Sequence, residues 1–447
     1  MQPTSHPAVT TLWAGAATAI LTPQDSVFLF GYPHVPRLST GVHDQLETVA
    51  LFLRHDNEKV LFIANDLIFV GKQLANEVRR RLYIKTGVPM GAIAITATHT
   101  HSGPVVLDCV SNSADPVVPN ADPSYLEWVA GSMVEAGCAA VRSAKPAEVG
   151  LAVARADGVG TNRHDPAGPA DPEVPVLVVR ALADHRPLAC MLAYAMHPTV
   201  LHEDSTLISG DFPHFTRQYL RAQGVLPKHC PILYHNGASG NQSPRHVTRE
   251  NTFTEARRLG EKLGMAIAGV IPGIAYTQAL PLRARSTHVA LQMRAFPPIA
   301  EAEARAHEVR VRFEALRAAQ APRTAVRTAE CDWFGAEEAV ALARAKTDGR
   351  LEVVAANCSP AEIQVIQLGP WNFVFWPGEF FVEYALEVKV RVPQTFVITM
   401  ANGELQGYIV TPEAAARGGY EATNALFSSD NGQRVVKATL ALLADEV

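Results

Sequence analysis

The chain has 447 residues, of which 48% are hydrophobic and 19% charged, with a formal net charge of −5. This composition is typical of a folded globular protein and excludes a disordered one. The mildly acidic balance argues against nucleic acid as a partner. No apolar stretch approaches the roughly 20 residues of a membrane-spanning helix, which argues against stable membrane insertion.

The N-terminal region contains an apolar stretch at residues 12–21 that could be mistaken for a signal peptide. The first basic residue of the chain is Arg37, so the positively charged segment of such a leader is absent. We therefore expect residues 12–21 to form a first buried strand, and we expect the protein to be cytoplasmic.

Short apolar runs alternate with amphipathic segments along the chain, which is typical of an α/β fold. Strands are predicted at residues 12–21, 59–68, 92–97, 174–181, 188–194, 231–234, 363–376 and 395–400. Helices are predicted at residues 71–85, 255–271 and 432–443, and from Pro123 onward with Asp122 as the N-cap.

Residues 297–348 differ from the rest because they are rich in Ala, Glu and Arg, with acidic residues early and basic residues late. That order suits the helix dipole and predicts a long helical pair, as an excursion from the core. The sequence leaves open whether this helical region covers a pocket or forms a subunit contact.

Histidines follow two of the predicted strands. His99 and His101 come directly after residues 92–97, and on an extended backbone their side chains would point to the same side. His197 follows residues 188–194 in the same way. These histidines are either metal ligands or hydrogen-bonded structural residues, and residue type alone leaves both interpretations open.

Two further segments contain candidate functional groups. Ser243 ends a glycine-containing turn after residues 231–234, where a hydroxyl and backbone N–H groups can be presented to an anion. The alternative is an ordinary polar loop. Glu379 follows a strongly apolar strand, so it either binds a partner or metal, or lies near the N-cap of the next helix.

Taken together and in order, these segments resemble the neutral/alkaline, non-lysosomal ceramidase family. The matching segments are 98–104 (THTHSGP), 195–199 (AMHPT), 208–211 (ISGD), 240–244 (GNQSP), 377–380 (PGEF), 407–413 (GYIVTPE) and 419–421 (GYE). The resemblance covers nearly the whole chain, and it implies a mixed β-sheet core within a single catalytic domain over residues 1–447.

The resemblance also implies a zinc-dependent hydrolase that cleaves a small-molecule N-acyl amide, with one Zn²⁺ per chain. The implied metal ligands are His99, His197, Glu379 and Tyr408. The implied catalytic residues are Ser243, which zinc-bound water would activate, and His101, Arg163 and Tyr420, which would assist substrate or oxyanion binding.

The chain departs from the family pattern in ending soon after the second tyrosine motif, so we expect the family's further C-terminal β-sandwich-like domain to be absent. Ceramide is therefore no more favoured than a smaller or more polar amide. A metal-dependent esterase or lactonase, and a catalytically silent metal-binding protein, are the alternative functions. The sequence does not decide whether the chain forms homo-oligomers.

Overall fold

The computed structural model describes residues 11–444 of the chain. The ends of the predicted single domain, residues 1–10 and 445–447, lie outside the described residues, and the single-domain assignment itself stays a prediction. The architecture is mixed α/β, as the sequence predicts.

The largest sheet has eight strands, joined from two four-stranded halves. In spatial order the strands are Ile232–Asn236, Pro187–Tyr194, Glu173–Ala181, Lys145–Arg155, Trp13–Ile20, Glu47–His55, Glu58–Asn65 and Ile93–Ala97. Only two residue pairs join the halves, Trp13 with Pro146 and Ala14 with Lys145. This narrow seam allows one half to fold over the other, and Thr96 Oγ1 from one end strand lies 2.7 Å from His235 Nδ1 of the other.

Helices cover the outer face of each half. Pro123–Arg142 packs on the strands Trp13–Ile20 and Glu47–His55, and Phe253–Val270 packs on Lys145–Arg155. Strands covered on both faces are buried throughout, as the last six residues of Glu58–Asn65 are. The N-cap prediction is confirmed, because the Asp122 side chain accepts a hydrogen bond from the Ser124 N–H.

A second sheet of four strands packs beside the large one. Its strands in spatial order are Leu282–Val289, Ala361–Leu368, Trp371–Phe375 and Thr395–Ile398. The last strand continues into hydrogen bonds with the large sheet: the Ala97 N–H donates to the Met400 carbonyl at 3.1 Å, and the Thr399 N–H donates to the Asn236 carbonyl at 2.9 Å. The two sheets are therefore fixed to each other where several strands end.

The remaining elements are short strand pairs and helices. The pairs are Leu29–Phe30 with Gly103–Pro104, Gly41–Val42 with Leu207–Ile208, Thr161–Asn162 with Gln242–Ser243, and Glu379–Phe380 with Tyr408–Ile409. The other α-helices are Lys72–Thr86, Asp211–Ala222, Ile299–Ala318, Arg323–Thr347, Arg350–Cys358, Val382–Arg391, Pro412–Arg417, Tyr420–Asn424 and Asp430–Ala444.

The helical pair predicted at residues 297–348 is present as Ile299–Ala318 and Arg323–Thr347, packed against each other. Across residues 11–444, every helix falls short of the length and apolar character needed to cross a membrane.

Candidate metal centre and active site

Three histidines from two loops meet at the ends of the large sheet. The ring centroid of His99 lies 4.8 Å from that of His101 and 4.7 Å from that of His197. One nitrogen from each ring falls within 4.8 Å of the other two. The three histidines singled out in the sequence are therefore brought together in a buried cluster.

The reason that the sequence offered for His99 and His101 facing one space is wrong in detail. His99 has φ of 69°, in the left-handed region, so the backbone does not stay extended and strand alternation does not apply. Hydrogen bonds hold the bend, since the Thr98 N–H donates to the Asn65 carbonyl and the His99 N–H to the Leu67 carbonyl. The left-handed turn aims the two rings at each other.

Backbone carbonyls fix the tautomer of each ring. The Nδ1 atoms of His99 and His101 lie 2.9 Å from the carbonyls of Ile68 and Gly31. His197 Nδ1 lies 2.6 Å from the Ser239 carbonyl. A carbonyl can only accept, so each Nδ1 carries the proton and each Nε2 presents a lone pair.

A carboxylate faces the same lone pairs. Glu379 Oε2 lies 3.0 Å from His197 Nε2 and 3.4 Å from His99 Nε2. His101 Nε2 lies 3.3 Å from His99 Nε2. Burial, with a contribution from the charge of Arg163, lowers the pKa of His197 to about 4, so this ring is neutral at pH 7. Four polar atoms thus converge on one space, which is the arrangement expected of metal ligands.

This donor set fits zinc. Bonds of roughly 2.0–2.1 Å in a tetrahedral site place neighbouring ligand atoms roughly 3.3 Å apart. The separations of 3.0 and 3.4 Å from Glu379 Oε2 to the Nε2 atoms of His197 and His99 agree with that value, and the three histidines lie within 4.8 Å of one another. Zinc-binding histidines usually donate their other ring N–H to a carbonyl or carboxylate that orients the ring, as the three Nδ1 atoms do here.

Glu379 does not cap the following helix, which was the alternative for it. It lies in the short strand Glu379–Phe380, whereas the helix begins at Val382 with Phe381 as its N-cap residue. Its parallel partner across this strand pair is Tyr408. The Tyr408 ring stacks near that of His197, with centroids 6.4 Å apart. Burial raises the pKa of the Tyr408 phenol well above its usual value, so it is protonated in the metal-free chain.

A small cavity lies beside the histidines. Six of the predicted site residues line it: His101, Arg163, His197, Ser243, Tyr408 and Tyr420. The other two, His99 and Glu379, line an adjoining cavity that shares the walls formed by His101, Tyr408 and Tyr420. All eight predicted residues therefore surround one connected region.

Ser243 is held on this wall by a short strand pair and a close turn. It pairs with Thr161 in the strand that leads to Arg163. A side chain at Gly240 would lie 2.8 Å from the Phe380 carbonyl, to which the Gly240 N–H donates, so only glycine allows this approach. The turn thereby joins the serine loop to the strand that carries Glu379.

The 208–211 segment ties the two histidine loops together. Thr100 Oγ1 donates to the Ser209 carbonyl at 2.7 Å. Asp211 Oδ2 accepts from the backbone N–H groups of Val200 and Leu201, which follow His197 closely. This bracing explains why the segment accompanies the histidine motifs without itself reaching the cavity.

Arg163 has a buried counter-charge that the sequence did not single out. Its Nε lies 2.5 Å from Glu421 Oε1, and His164 Nε2 lies 3.1 Å from Glu421 Oε2. The guanidinium carbon lies 5.2 Å from the ring centre of Tyr408 and 5.9 Å from that of Tyr420. Its Nη2 has no hydrogen-bond partner among residues 11–444. Arg163 is thus fixed in place with a free donor.

We predict that Glu421→Gln costs about 3–5 kcal/mol of unfolding free energy at pH 7, because it leaves the buried Arg163 charge unpaired. Burial alone would raise the pKa of Glu421, but the charge of Arg163 and the hydrogen bond from His164 hold it well below its usual value. A depressed carboxyl pKa stabilises the fold above the unfolded value of about 4.5 and ceases to do so as the pH falls.

Urea unfolding at pH 7 and at pH 4 measures this effect. The difference between wild type and Glu421→Gln should shrink at the lower pH, and the exposed Glu413→Gln should match wild type at both. An equal difference at both pH values would show that the ion pair does not stabilise the fold in this way.

The chain is similar to known proteins both in sequence and in structure. Residues 15–215 match the family model described as neutral/alkaline non-lysosomal ceramidase, N-terminal. No curated protein matches the sequence. The solved neutral ceramidase from Pseudomonas aeruginosa is similar in structure, with a TM-score of 0.74 and 17% identity, over 97% of this chain and 74% of that one. A ceramidase complexed with C2 has a TM-score of 0.71 and 15% identity, over 97% and 75% of the two chains. At these identities the structural likeness establishes the fold, and it confirms the predicted fold class.

Proposed function

We propose that this chain, whose residues 15–215 match the neutral/alkaline non-lysosomal ceramidase family model, is a zinc-dependent hydrolase that cleaves a linear N-acyl amide bond. The observation that carries the proposal is the convergence of three histidines and a buried carboxylate beside a cavity that a serine lines. His99, His197, Glu379 and Tyr408 would hold the ion. Zinc bound there would polarise the amide carbonyl and lower the pKa of a bound water from about 15.7 towards about 7.

Ser243 would act as the nucleophile. Its Oγ accepts only a long hydrogen bond, 3.3 Å, from the Arg245 N–H, which leaves the hydroxyl proton free to be given up. Attack of Oγ on the carbonyl carbon and loss of the protonated amine would leave an acyl-serine, which water then hydrolyses. The net reaction consumes one amide and one water and yields an acid and an amine.

Two groups on the cavity wall would stabilise the negative oxygen of the tetrahedral intermediate. Arg163 presents its unpartnered Nη2. Burial, together with Tyr408, raises the pKa of the Tyr420 phenol well above its usual value, so Tyr420 keeps a proton to donate. One well-placed donor of this kind contributes about 3 kcal/mol to catalysis. His101, on the wall shared by both cavities, would contact substrate or complete the metal site.

Removal and return of zinc, assayed on a panel of N-acyl amides with matched esters, tests the proposal. We expect phenanthroline to abolish amide hydrolysis and added zinc to restore it. Hydrolysis of the esters alone would instead indicate an esterase or lactonase. If no substrate is turned over and metal removal only lowers the melting temperature, the chain is a catalytically silent metal-binding protein.

A further inference from the structure

Three arginines line the wall of the serine cavity. Arg163, Arg245 and Arg327 line it. None of the described residues that line it is an aspartate or a glutamate. The carboxylate of Glu379 belongs to the adjoining cavity. A substrate that enters from the serine side therefore meets three guanidinium groups.

The helix Arg323–Thr347 supplies part of this wall. Arg327, Cys331 and Phe334 from its first half line the cavity. Whether the 297–348 region covers a pocket, which the sequence left open, is thus answered: its second helix forms one side of the serine cavity. Residues far from the catalytic motifs in sequence shape the space around the substrate.

The three arginines differ in how far their charge is already balanced. Arg163 is paired with Glu421. Arg327 lies 3.1 Å from Glu203 and 2.6 Å from Glu330. Arg245 makes no ion pair with a carboxylate anywhere in the described part of the chain, and its Nη2 instead lies 3.3 Å from the Cys331 thiol. The charges of Glu421 and Asp332 act on Arg245 only from a distance, so its guanidinium is free to bind an anionic partner directly.

Arg245 is also close to the reacting serine, because the backbone N–H of Arg245 donates to Ser243 Oγ. The charges of nearby arginines also act on another residue of the cavity wall, His202. Burial first, and then the charges of Arg327, Arg323 and Arg245, lower the pKa of His202 well below its usual value. Arg245 therefore lies next to the serine and within electrostatic reach of a second wall residue.

We infer that the substrate is a small amide that carries a carboxylate close to the scissile bond, and that Arg245 is the specificity-determining residue that binds this carboxylate. The inference rests on the proposed amide hydrolysis. A guanidinium without a direct carboxylate partner can bind one negative group, and its planar shape allows it to hold a carboxylate through two parallel hydrogen bonds.

Two matched substrate pairs test the inference, one for each side of the amide. N-acetylalanine is compared with neutral N-isopropylacetamide, and N-methylsuccinamate with neutral N-methylbutanamide. In at least one pair we expect the charged member to have the higher kcat/KM by about 10- to 100-fold, as for a hydrogen bond to a charged group. Arg245→Gln should remove most of that preference, and Arg245→Lys should restore part of it. The exposed Arg249→Gln in the same loop is the matched control.

A binding measurement separates this inference from the proposed function. Calorimetric titration with succinate and succinamide, on wild type, Arg245→Gln and Arg249→Gln, needs no turnover. We expect succinate to bind at least about 10-fold more weakly to Arg245→Gln than to the other two. Arg245-dependent succinate binding without amide turnover would support the anion site while refuting the hydrolase. Amide turnover with no charge preference, or succinate binding that is unchanged in Arg245→Gln, would overturn the inference while leaving the hydrolase intact.

Discussion

Ser243→Ala should lower kcat/KM for amide hydrolysis by about 10³-fold or more, the scale seen when a nucleophilic serine is removed from an enzyme. The substitution removes the only serine hydroxyl among the described residues that line the cavity. Ser243 Oγ contributes a single long hydrogen bond to the fold, so we expect the melting temperature and the zinc content to stay close to those of wild type.

Ser239→Ala is the matched control for this substitution. Ser239 is a buried serine in the same turn, but its hydroxyl accepts from Asn236 and it does not line the cavity. Single-turnover assays of both variants should show a large loss for Ser243→Ala alone. Full amide turnover by Ser243→Ala would refute the serine's role and point to direct attack by water.

Glu379→Gln should weaken zinc binding by more than about 100-fold. Even replacing a residue that only hydrogen-bonds to a metal ligand costs about 10- to 100-fold in metal affinity. The neutral amide keeps the shape of the side chain but removes the negative charge that faces the Nε2 atoms of His99 and His197. The amide can also rotate its NH₂ group toward those lone pairs, forming hydrogen bonds in place of metal bonds.

Competition with a chromophoric chelator measures this affinity. Glu387→Gln is the matched control. It removes a carboxylate eight residues further along the chain, on the next helix, where Glu387 pairs with Arg391 instead of facing the histidines. We expect this control to bind zinc as wild type does. Equal zinc affinity in both variants would show that Glu379 is not a ligand.

Four of the segments that carry the site were visible in the sequence because each follows an apolar strand, whereas Arg163, Tyr408 and Tyr420 were found only through the family resemblance. Strands such as Ile93–Ala97 and Pro187–Tyr194 lie within a few residues of their predicted bounds. Burial of a strand on both faces leaves a continuous apolar run, and a polar residue at its end is easily seen. The location of His99, His197 and Glu379 at strand ends was therefore predictable.

The geometry that joins these segments was not predictable from local pattern. The left-handed backbone at His99 depends on hydrogen bonds that the N–H groups of Thr98 and His99 donate to the carbonyls of Asn65 and Leu67, which are distant in sequence. The strand Glu47–His55 was missed, and it lies in the middle of the large sheet. Glu421 was visible only as part of a motif, because its role depends on the burial of Arg163. The arginines on the cavity wall could not be predicted either, because Arg245 and Cys331 come into contact only in the folded chain.

Zinc K-edge X-ray absorption on the zinc-loaded protein tests the central claim most directly, because it reports the atoms bound to the ion. We expect one zinc per chain with nitrogen and oxygen neighbours at about 2.0–2.1 Å and the multiple-scattering pattern of at least two imidazoles. A spectrum of a hydrated ion without imidazole scattering, or a chain that retains no zinc, would contradict the proposed centre.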